Sequence, residues 1–107
     1  MAIVAVSISP VGEGASVSEQ VAAAVEVVRS QERVRHRLDS MFTTLEGDLD
    51  EIFALIRKMQ EAVFAAGAKR VGTLIKIDDR RDRPEFGMEQ KVESALSKLA
   101  ARSKKDD

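Results

Sequence analysis

The sequence predicts an α+β fold, and three observations support this class. Four short segments are apolar, β-branched or alternating, which is typical of strands, and three longer segments repeat apolar residues every three or four positions, as helices do. Their order, βαββαβ followed by a helix, predicts a ferredoxin-like sandwich with an additional C-terminal helix. A chain of 107 residues suits one core. We therefore assign 1–102 to a single domain and 103–107 to a charged tail.

The first strand and the first helix have clear local signals. The run "AIVAVSIS" (2–9) is nearly all apolar on both of its faces, which predicts a strand buried on both sides. "SPVGEG" (9–14) predicts a loop. Ser16 and Glu19 form a capping-box pattern, so a helix is expected from there to about Ser30. Its apolar positions repeat at helical spacing: Val21, Ala24, Val25 and Val28.

A hairpin and a second helix are predicted next. Residues 33–46 alternate, and Asp39-Ser40 are expected to form the turn between two strands. Asp48, with Glu51 three residues later, predicts the start of a helix, and Gly67 predicts its left-handed end. The apolar stripe of this helix is expected to contain Leu49, Ile52, Phe53, Ile56, Met59 and Val63.

The last strand, "KRVGTLIKI" (69–77), leads through a charged loop (78–87) to a third helix. That helix has its apolar positions at Met88, Val92, Ala95, Leu96 and Leu99, and the tail "RSKKDD" (102–107) is expected to fray. In a ferredoxin-like sheet both main helices lie on one face. We expect the third helix to cover part of the other face and a second subunit to cover the rest, which predicts a homo-oligomer, either dimer or tetramer.

Composition excludes several classes of function. The net charge of −1 gives no electrostatic footprint for nucleic acid or an anionic membrane, and no stretch approaches membrane-spanning length. Cysteine is absent, no secretory signal is visible, and a cytoplasmic location is expected. The one histidine, His36, falls within a predicted strand, and no nucleotide-binding or metalloprotease motif occurs. We therefore expect no enzyme, cofactor or metal.

Polar residues on the strands favour a binding function, because polar groups on an apolar sheet need partners. Ser7 and Ser9 share a face of the first strand, and Lys76 and Asp78 share a face of the fourth. If the first and third strands are central, Ser7 and Thr43 are expected to be neighbours. A cross-strand hydrogen bond and a ligand site both remain open for that pair. The run 78–83 is open to three interpretations: a solvated loop of ion pairs, a subunit contact or a ligand wall.

Three motifs resemble the small thiamine-binding protein family: "VSISPVGEGASVSEQVA", "FTTLEGDLDEIFALI" and "AVFAAGAKRVGTLIKIDDRRDRP". They occur in order over roughly residues 4 to 99. The resemblance implies a ferredoxin-like fold that binds thiamine or its hydroxymethylpyrimidine part, in homodimers or dimers of dimers, without established catalysis. The family pattern falls on Ser7, Pro10, Gly12, Thr43, Glu46, Gly47, Lys76, Asp78, Asp79 and Arg80.

The expected ligand-binding residues are Ser7, Ser9, Thr43, Glu46, Lys76 and Asp78, and the expected oligomer or anion contacts are Asp79, Arg80, Arg81 and Arg83. Glu46 or Asp78 would offset the thiazolium cation, and hydroxyl or backbone groups would bind the aminopyrimidine. The chain has no Trp or Tyr. Of its phenylalanines, Phe53 and Phe64 are expected in the core, and Phe42 and Phe86 as stacking partners. The alternative is an oligomerisation domain that binds a protein partner or an anion through its arginine-rich loop.

Overall fold

A computed structural model describes residues 1–12 and 18–105 of the chain. Its elements are β1 (Ala2–Pro10), α1 (Ser18–Arg29), β2 (Arg35–Leu38), β3 (Thr43–Gly47), α2 (Leu49–Ala65), β4 (Val71–Asp79) and α3 (Met88–Lys105). This order confirms the predicted α+β class and the ferredoxin-like βαββαβ arrangement with an additional C-terminal helix. The predicted capping box at Ser16 lies outside the described residues.

The four strands form one antiparallel sheet in the order β2-β3-β1-β4. The first and third strands are therefore central, as expected for this topology. Along β1, buried residues alternate with half-buried ones. Val4 lies opposite Leu45 of β3 and Ile77 of β4, which fixes the register of the three strands. Because side chains alternate between faces, this register decides which polar residues can meet.

The core lies between the sheet and the two main helices. The even-numbered side chains of β1 point toward α1 and α2 and are almost fully buried. The core cluster consists of Ala2, Val4, Val6, Ile8, Ala24, Val28, Val34, Leu45, Ile52, Leu55, Ile56, Met59, Val63 and Ala68. Each Val, Leu or Ile buried in this way stabilises the fold by about 1.5–3 kcal/mol. We call this side of the sheet the helix face and the other side the outer face.

Helix α2 begins and ends where its local signals predict. The Asp48 side chain accepts a hydrogen bond of 3.1 Å from the Glu51 N–H, and Gly67 follows the helix with a positive φ of 110°. Both groups satisfy helix ends that would otherwise lack partners. The hairpin turn is longer than predicted, because the Asp39 N–H donates to the Phe42 carbonyl and β3 begins only at Thr43.

Two aromatic positions were predicted wrongly. Phe53 and Phe64 are 42% and 41% exposed, whereas Leu55 is buried on the core side of α2. The helix turns Ile52, Leu55 and Ile56 toward the sheet, which places Phe53 at the margin of the apolar stripe. A helix that buries Phe53 and one that buries Leu55 both satisfy the spacing of three and four, so the sequence pattern could not distinguish between these two orientations.

Helix α3 meets the outer face only through its first turns. Met88 is buried, but Val92, Leu96 and Leu99 are 48%, 58% and 59% exposed. The helix continues through residues 103–105, which had been assigned to the charged tail. None of the helices in the described part of the chain has the length and apolar character required to cross a membrane. The third helix thus covers part of the outer face, as predicted, and leaves its own apolar stripe exposed.

Candidate functional site

The six predicted ligand residues do not form one cluster. Three of them, Ser7, Ser9 and Thr43, line a cavity at one end of β1, which we call the edge pocket. Lys76 and Asp78 line a second cavity between the outer face and α3, which we call the outer cleft. Glu46 lines neither cavity. The predicted ligand residues are therefore divided between two cavities, and their role in ligand binding stays a prediction.

The edge pocket exists because β1 is longer than its neighbour β3. Residues Ala2 to Val6 of β1 pair with β3, whereas the register with β4 continues to Pro10. The last part of β1 therefore has a strand on one side only. The resulting cavity has a volume of about 140 Å³. It is lined by Val6, Ser7, Ile8, Ser9, Val21, Ala24, Val25, Leu38, Asp39, Ser40, Met41, Phe42, Thr43 and Met59.

The main chain of Ile8 faces this open edge. The Val11 N–H donates to the Arg70 carbonyl at 2.8 Å, so the odd-numbered residues at this end of β1 direct their backbone groups toward β4. The N–H and C=O of Ile8 consequently point to the side where β3 has ended. Among the described residues no strand pairs with them there. The pocket thus combines a main-chain donor and acceptor with hydroxyl groups and apolar walls.

Ser7 and Thr43 are not the cross-strand neighbours that were predicted. Thr43 lies opposite Val6 and is buried on the helix face, whereas Ser7 lies on the outer face opposite Leu74. A register that differs by one residue places two side chains on opposite faces of a sheet. Both residues still reach the edge pocket, because the sheet ends there and its two faces meet at the rim.

The outer cleft has a volume of about 300 Å³ and lies over two cross-strand rows of side chains, of which the first contributes only Ile3 and Asp78 to the lining. The first row is Arg35, Glu46, Ile3 and Asp78, and the second is Arg37, Thr44, Ala5 and Lys76. Helix α3 supplies the facing wall with Met88, Lys91 and Val92. The cleft therefore has an apolar floor at β1 and ionic groups at its sides.

Glu46 acts as a cap for α3 rather than as a wall of either cavity. Its buried carboxylate accepts a hydrogen bond of 2.8 Å from the Met88 N–H and one of 3.3 Å from Arg35. An acceptor at a helix N-terminus satisfies a free N–H and interacts favourably with the helix dipole. Gly87 is required for this contact, since a Cβ there would lie 2.6 Å from the Glu46 Oε2. Glu46 thus joins β3 to α3.

Of the charged side chains that the structure describes, those of the first row form ion pairs within 4.0 Å, and those of the second row do not. Asp78 forms an ion pair with Lys91 of α3. The hydrogen bond from the Lys91 ammonium, together with its positive charge, holds the pKa of the Asp78 carboxyl below its usual range. By contrast, neither Arg37 nor Lys76 has a carboxylate partner among the described residues. The second row therefore carries two positive charges into the cleft.

The arginine-rich loop is largely occupied with itself. Arg80 forms a two-bonded ion pair with Asp82 at 2.7 and 3.0 Å, and this contact lowers the pKa of the Asp82 carboxyl. Weaker pairs join Arg81 to Asp79 and Arg83 to Glu85, at 3.9 and 3.7 Å. The guanidinium groups of Arg80 and Arg83 lie 4.9 and 4.7 Å from the centre of the Phe86 ring. Phe86, one of the two expected stacking partners, is therefore already in contact with cations of its own loop.

Three residues of these cavities were missed by the sequence analysis. Asp39 had been taken only as a turn residue, yet it lines both the edge pocket and the outer cleft. Arg37 and Thr44 had not been considered as a pair, although they lie opposite each other on the outer face. The alternation of the sequence around residue 37 could have placed Arg37 on one face of a strand. The register between β2 and β3 was needed to identify Thr44 as its neighbour. No group of possible metal ligands occurs within the described segments.

Comparisons with known proteins agree with this fold. A sequence profile described as thiamine-binding protein matches residues 4–96. The UPF0045 protein YqgV of Bacillus subtilis is 41% identical over 103 residues, which cover 92% of this chain and 98% of the relative. The solved structure of hypothetical protein MJ1052 from Methanocaldococcus jannaschii has a TM-score of 0.79 at 37% identity, and the alignment covers 88% of this chain and 94% of that one.

A more distant structure shows the fold alone. The Thermotoga maritima protein TM0486, for which a role in thiamine biosynthesis or salvage has been proposed, is 22% identical to this chain and has a TM-score of 0.74. The alignment covers 88% of this chain and 97% of that one. The two proteins therefore share the fold. At this sequence identity, the roles of individual site residues cannot be transferred from one protein to the other.

Proposed function

The chain belongs to the thiamine-binding protein family, and from this premise we propose that it is a non-catalytic binding protein for thiamine or its aminopyrimidine part. The family profile covers nearly the whole domain, from residue 4 to residue 96. The single structural observation that carries the proposal is the edge pocket, where an unpaired stretch of β1 offers main-chain hydrogen-bonding groups beside hydroxyl groups and Phe42. The expected absence of catalysis and the cytoplasmic location stay predictions of the sequence.

The aminopyrimidine suits this pocket for a geometric reason. Its amino group is a donor and the adjacent ring nitrogen is an acceptor, so this edge of the ring can pair with a C=O and an N–H that point the same way. Ile8 offers such a pair at the open edge of β1. Two hydrogen bonds of this type contribute about 0.5–1.5 kcal/mol each. Phe42 provides an aromatic wall, and the volume of about 140 Å³ suits one small ring.

The thiazolium part of thiamine is a permanent cation and needs a carboxylate partner nearby. Asp39 lies at the junction of the edge pocket and the outer cleft, and its side chain is exposed. This residue replaces Glu46 in our proposal, because the Glu46 carboxylate is buried and bonded to α3. Asp78, the other predicted carboxylate, is paired with Lys91. Asp39 is thus the carboxylate that a ligand leaving the edge pocket meets first.

Self-association is the second part of the proposal. The apolar stripe of α3, with Leu96 and Leu99 more than half exposed, projects from a chain whose principal extents are 55 × 30 × 19 Å. A stripe of this kind is normally covered in a stable soluble assembly. A second copy of the chain is the partner that we propose, as a homodimer or a dimer of dimers.

Nuclear magnetic resonance of ¹⁵N-labelled protein tests the pocket directly. Thiamine and hydroxymethylpyrimidine should both bind and shift the Ile8 amide resonance, because both would accept from that N–H. Phe42→Ala should weaken binding about three- to tenfold, since a stacked aromatic contact contributes about 0.5–1.5 kcal/mol. Phe64→Ala is the matched control, because Phe64 is an exposed ring of α2 that lines neither cavity.

Two results would contradict the proposal. Absence of saturable binding by either compound would remove the function. Binding that leaves the Ile8 amide unmoved, or that Phe42→Ala and Phe64→Ala weaken equally, would remove the edge pocket as the site.

A further inference from the structure

The outer cleft has an unusual charge distribution. In its second row, Arg37 and Lys76 stand on either side of Thr44 and Ala5, and they approach the same cavity from opposite edges of the sheet. In the part of the chain that the structure describes, no carboxylate lies within 4.0 Å of either cation. The charged side chains of the first row, by contrast, all have ion-pair partners. Three cations (Arg37, Lys76 and Lys91) and two carboxylates (Asp39 and Asp78) line the cleft, so its formal charge is positive although the chain as a whole has a net charge of −1.

We propose that the outer cleft binds a phosphate group, held between Arg37 and Lys76 with the Thr44 hydroxyl as a further donor. A phosphate monoester carries about −1.5 to −2 charges at neutral pH and has three acceptor oxygens, which matches two cations and one hydroxyl. The planar guanidinium of arginine forms paired hydrogen bonds to phosphate, and lysine acts as a point charge. This site adjoins the edge pocket at Asp39, but Arg37, Thr44 and Lys76 line only the outer cleft, so the binding of inorganic phosphate does not depend on thiamine binding.

The shape and polarity of the cleft support this chemistry. Its volume of about 300 Å³ exceeds that of a phosphate ion, so an organic group attached to the phosphate can also be accommodated. Ile3, Ala5 and Val92 line the cavity with apolar surface, beside which ionic contacts are screened less than in bulk water. The N-terminus of α3 is not the anion site, because the Glu46 carboxylate already occupies it. Side chains of the second row, rather than helix ends, would hold the ligand.

The arginine-rich loop is a poorer candidate for the same role. Arg80, Arg81 and Arg83 each lie within 4.0 Å of a carboxylate in the loop or at the end of β4. An incoming anion would have to displace those carboxylates before it gained any contact. We therefore propose Arg37 and Lys76 of the second row, rather than the arginines of the loop after β4, as the anion contacts.

Asp39 makes the proposal separable from thiamine binding. Its carboxylate lines the same cleft and repels a phosphate, whereas it attracts a thiazolium cation. Asp39→Asn keeps a side-chain oxygen for the hydrogen bond that the Ser40 N–H donates. The substitution should therefore tighten phosphate binding and weaken thiamine binding. Opposite signs from one substitution are difficult to obtain from a general loss of structure.

Isothermal titration calorimetry at low ionic strength tests the site. Inorganic phosphate is added up to about 10 mM, because this range exceeds a millimolar Kd. Arg37→Gln and Lys76→Gln should each weaken binding roughly tenfold, as expected for loss of a charge-assisted contact. Arg70→Gln and Lys98→Gln are the matched controls, because they remove one exposed positive charge each outside the cleft. They should leave the affinity within about twofold of the unmodified protein.

A comparison of ligands identifies the source of the phosphate. If the phosphate is part of a larger ligand, thiamine monophosphate should bind more tightly than inorganic phosphate, and Arg37→Gln should reduce the difference between thiamine monophosphate and thiamine. Equal affinities for thiamine monophosphate and inorganic phosphate would identify free phosphate as the ligand of this site. No saturable binding of phosphate, or equal losses in the cleft and control variants, would overturn the proposal even if thiamine binds in the edge pocket.

Discussion

Substitution of Gly87 by alanine tests the connection between the sheet and α3. The added Cβ would lie 2.6 Å from Oε2 and 2.8 Å from both Oε1 and Cδ of Glu46, well inside normal contact distance. The carboxylate would have to move. This movement would break the hydrogen bond of 2.8 Å that it accepts from the Met88 N–H. The φ angle of Gly87 is not positive, so the backbone itself is compatible with alanine.

The expected magnitude follows from the contact that is lost. A hydrogen bond to a charged, buried carboxylate contributes about 1.5–3 kcal/mol. The Arg35 contact adds little, because that side chain is 57% exposed and solvent screens the pair. Gly87→Ala should therefore reduce the free energy of unfolding by about 1.5–3 kcal/mol, or roughly 10 °C in Tm for a domain of this size. The loss cannot exceed the free energy that docks α3 on the sheet.

Denaturation followed by far-UV circular dichroism measures this change, since the chain has no tryptophan or tyrosine for fluorescence. The decisive comparison is a double-mutant cycle with Glu46→Ala. In that background the clash is absent, and Gly87→Ala should be neutral or stabilising by about 0.4–1 kcal/mol, because alanine restricts the unfolded chain. An equal loss of stability in both backgrounds would refute the proposed clash with Glu46.

Two further predictions concern the outer face and α3. Leu96→Asp should lower the oligomeric state that sedimentation measures at micromolar concentration. Ser97→Asp, at the neighbouring exposed position, is the control and should not change it. Equal behaviour of the two variants, or an unmodified protein that is a monomer, would contradict the proposed self-association. Because the pKa of Asp78 is lowered in the folded protein, its ionised form stabilises the fold above about pH 4, and this contribution is lost as the pH falls through the lowered value. The difference in Tm between the unmodified protein and Asp78→Asn should therefore shrink between about pH 5 and pH 2; a difference that does not change with pH would contradict the Lys91 ion pair as its cause.

The order of elements was predictable because each of them carries its own local signal. The apolar run of β1, the Asp48 cap and Gly67 at the end of α2 each depend on residues close in sequence. The element order then limited the sheet to a small number of topologies, and the ferredoxin-like one places β1 and β3 at its centre. To this extent the fold follows from local chemistry and chain connectivity.

The site was less predictable, because it depends on register and on contacts between distant parts of the chain. Ser7 and Thr43 were expected side by side, but an offset of one residue placed them on opposite faces. Glu46 was expected at a ligand, yet its partner is the N–H of Met88, 42 residues later in the chain. No local pattern could reveal that contact, since it arises only when α3 crosses the outer face.

The overhang of β1 beyond β3 has a consequence for how recognition in this domain can change. The donor and the acceptor at Ile8 belong to the peptide backbone, so substitutions of that side chain leave them in place, proline excepted, which lacks the N–H. The difference in length between two strands, rather than the identity of any one amino acid, sets which hydrogen-bonding pattern the opening presents. Fine adjustment is left to the turn at 39–42, whose side chains frame the opening without taking part in the sheet.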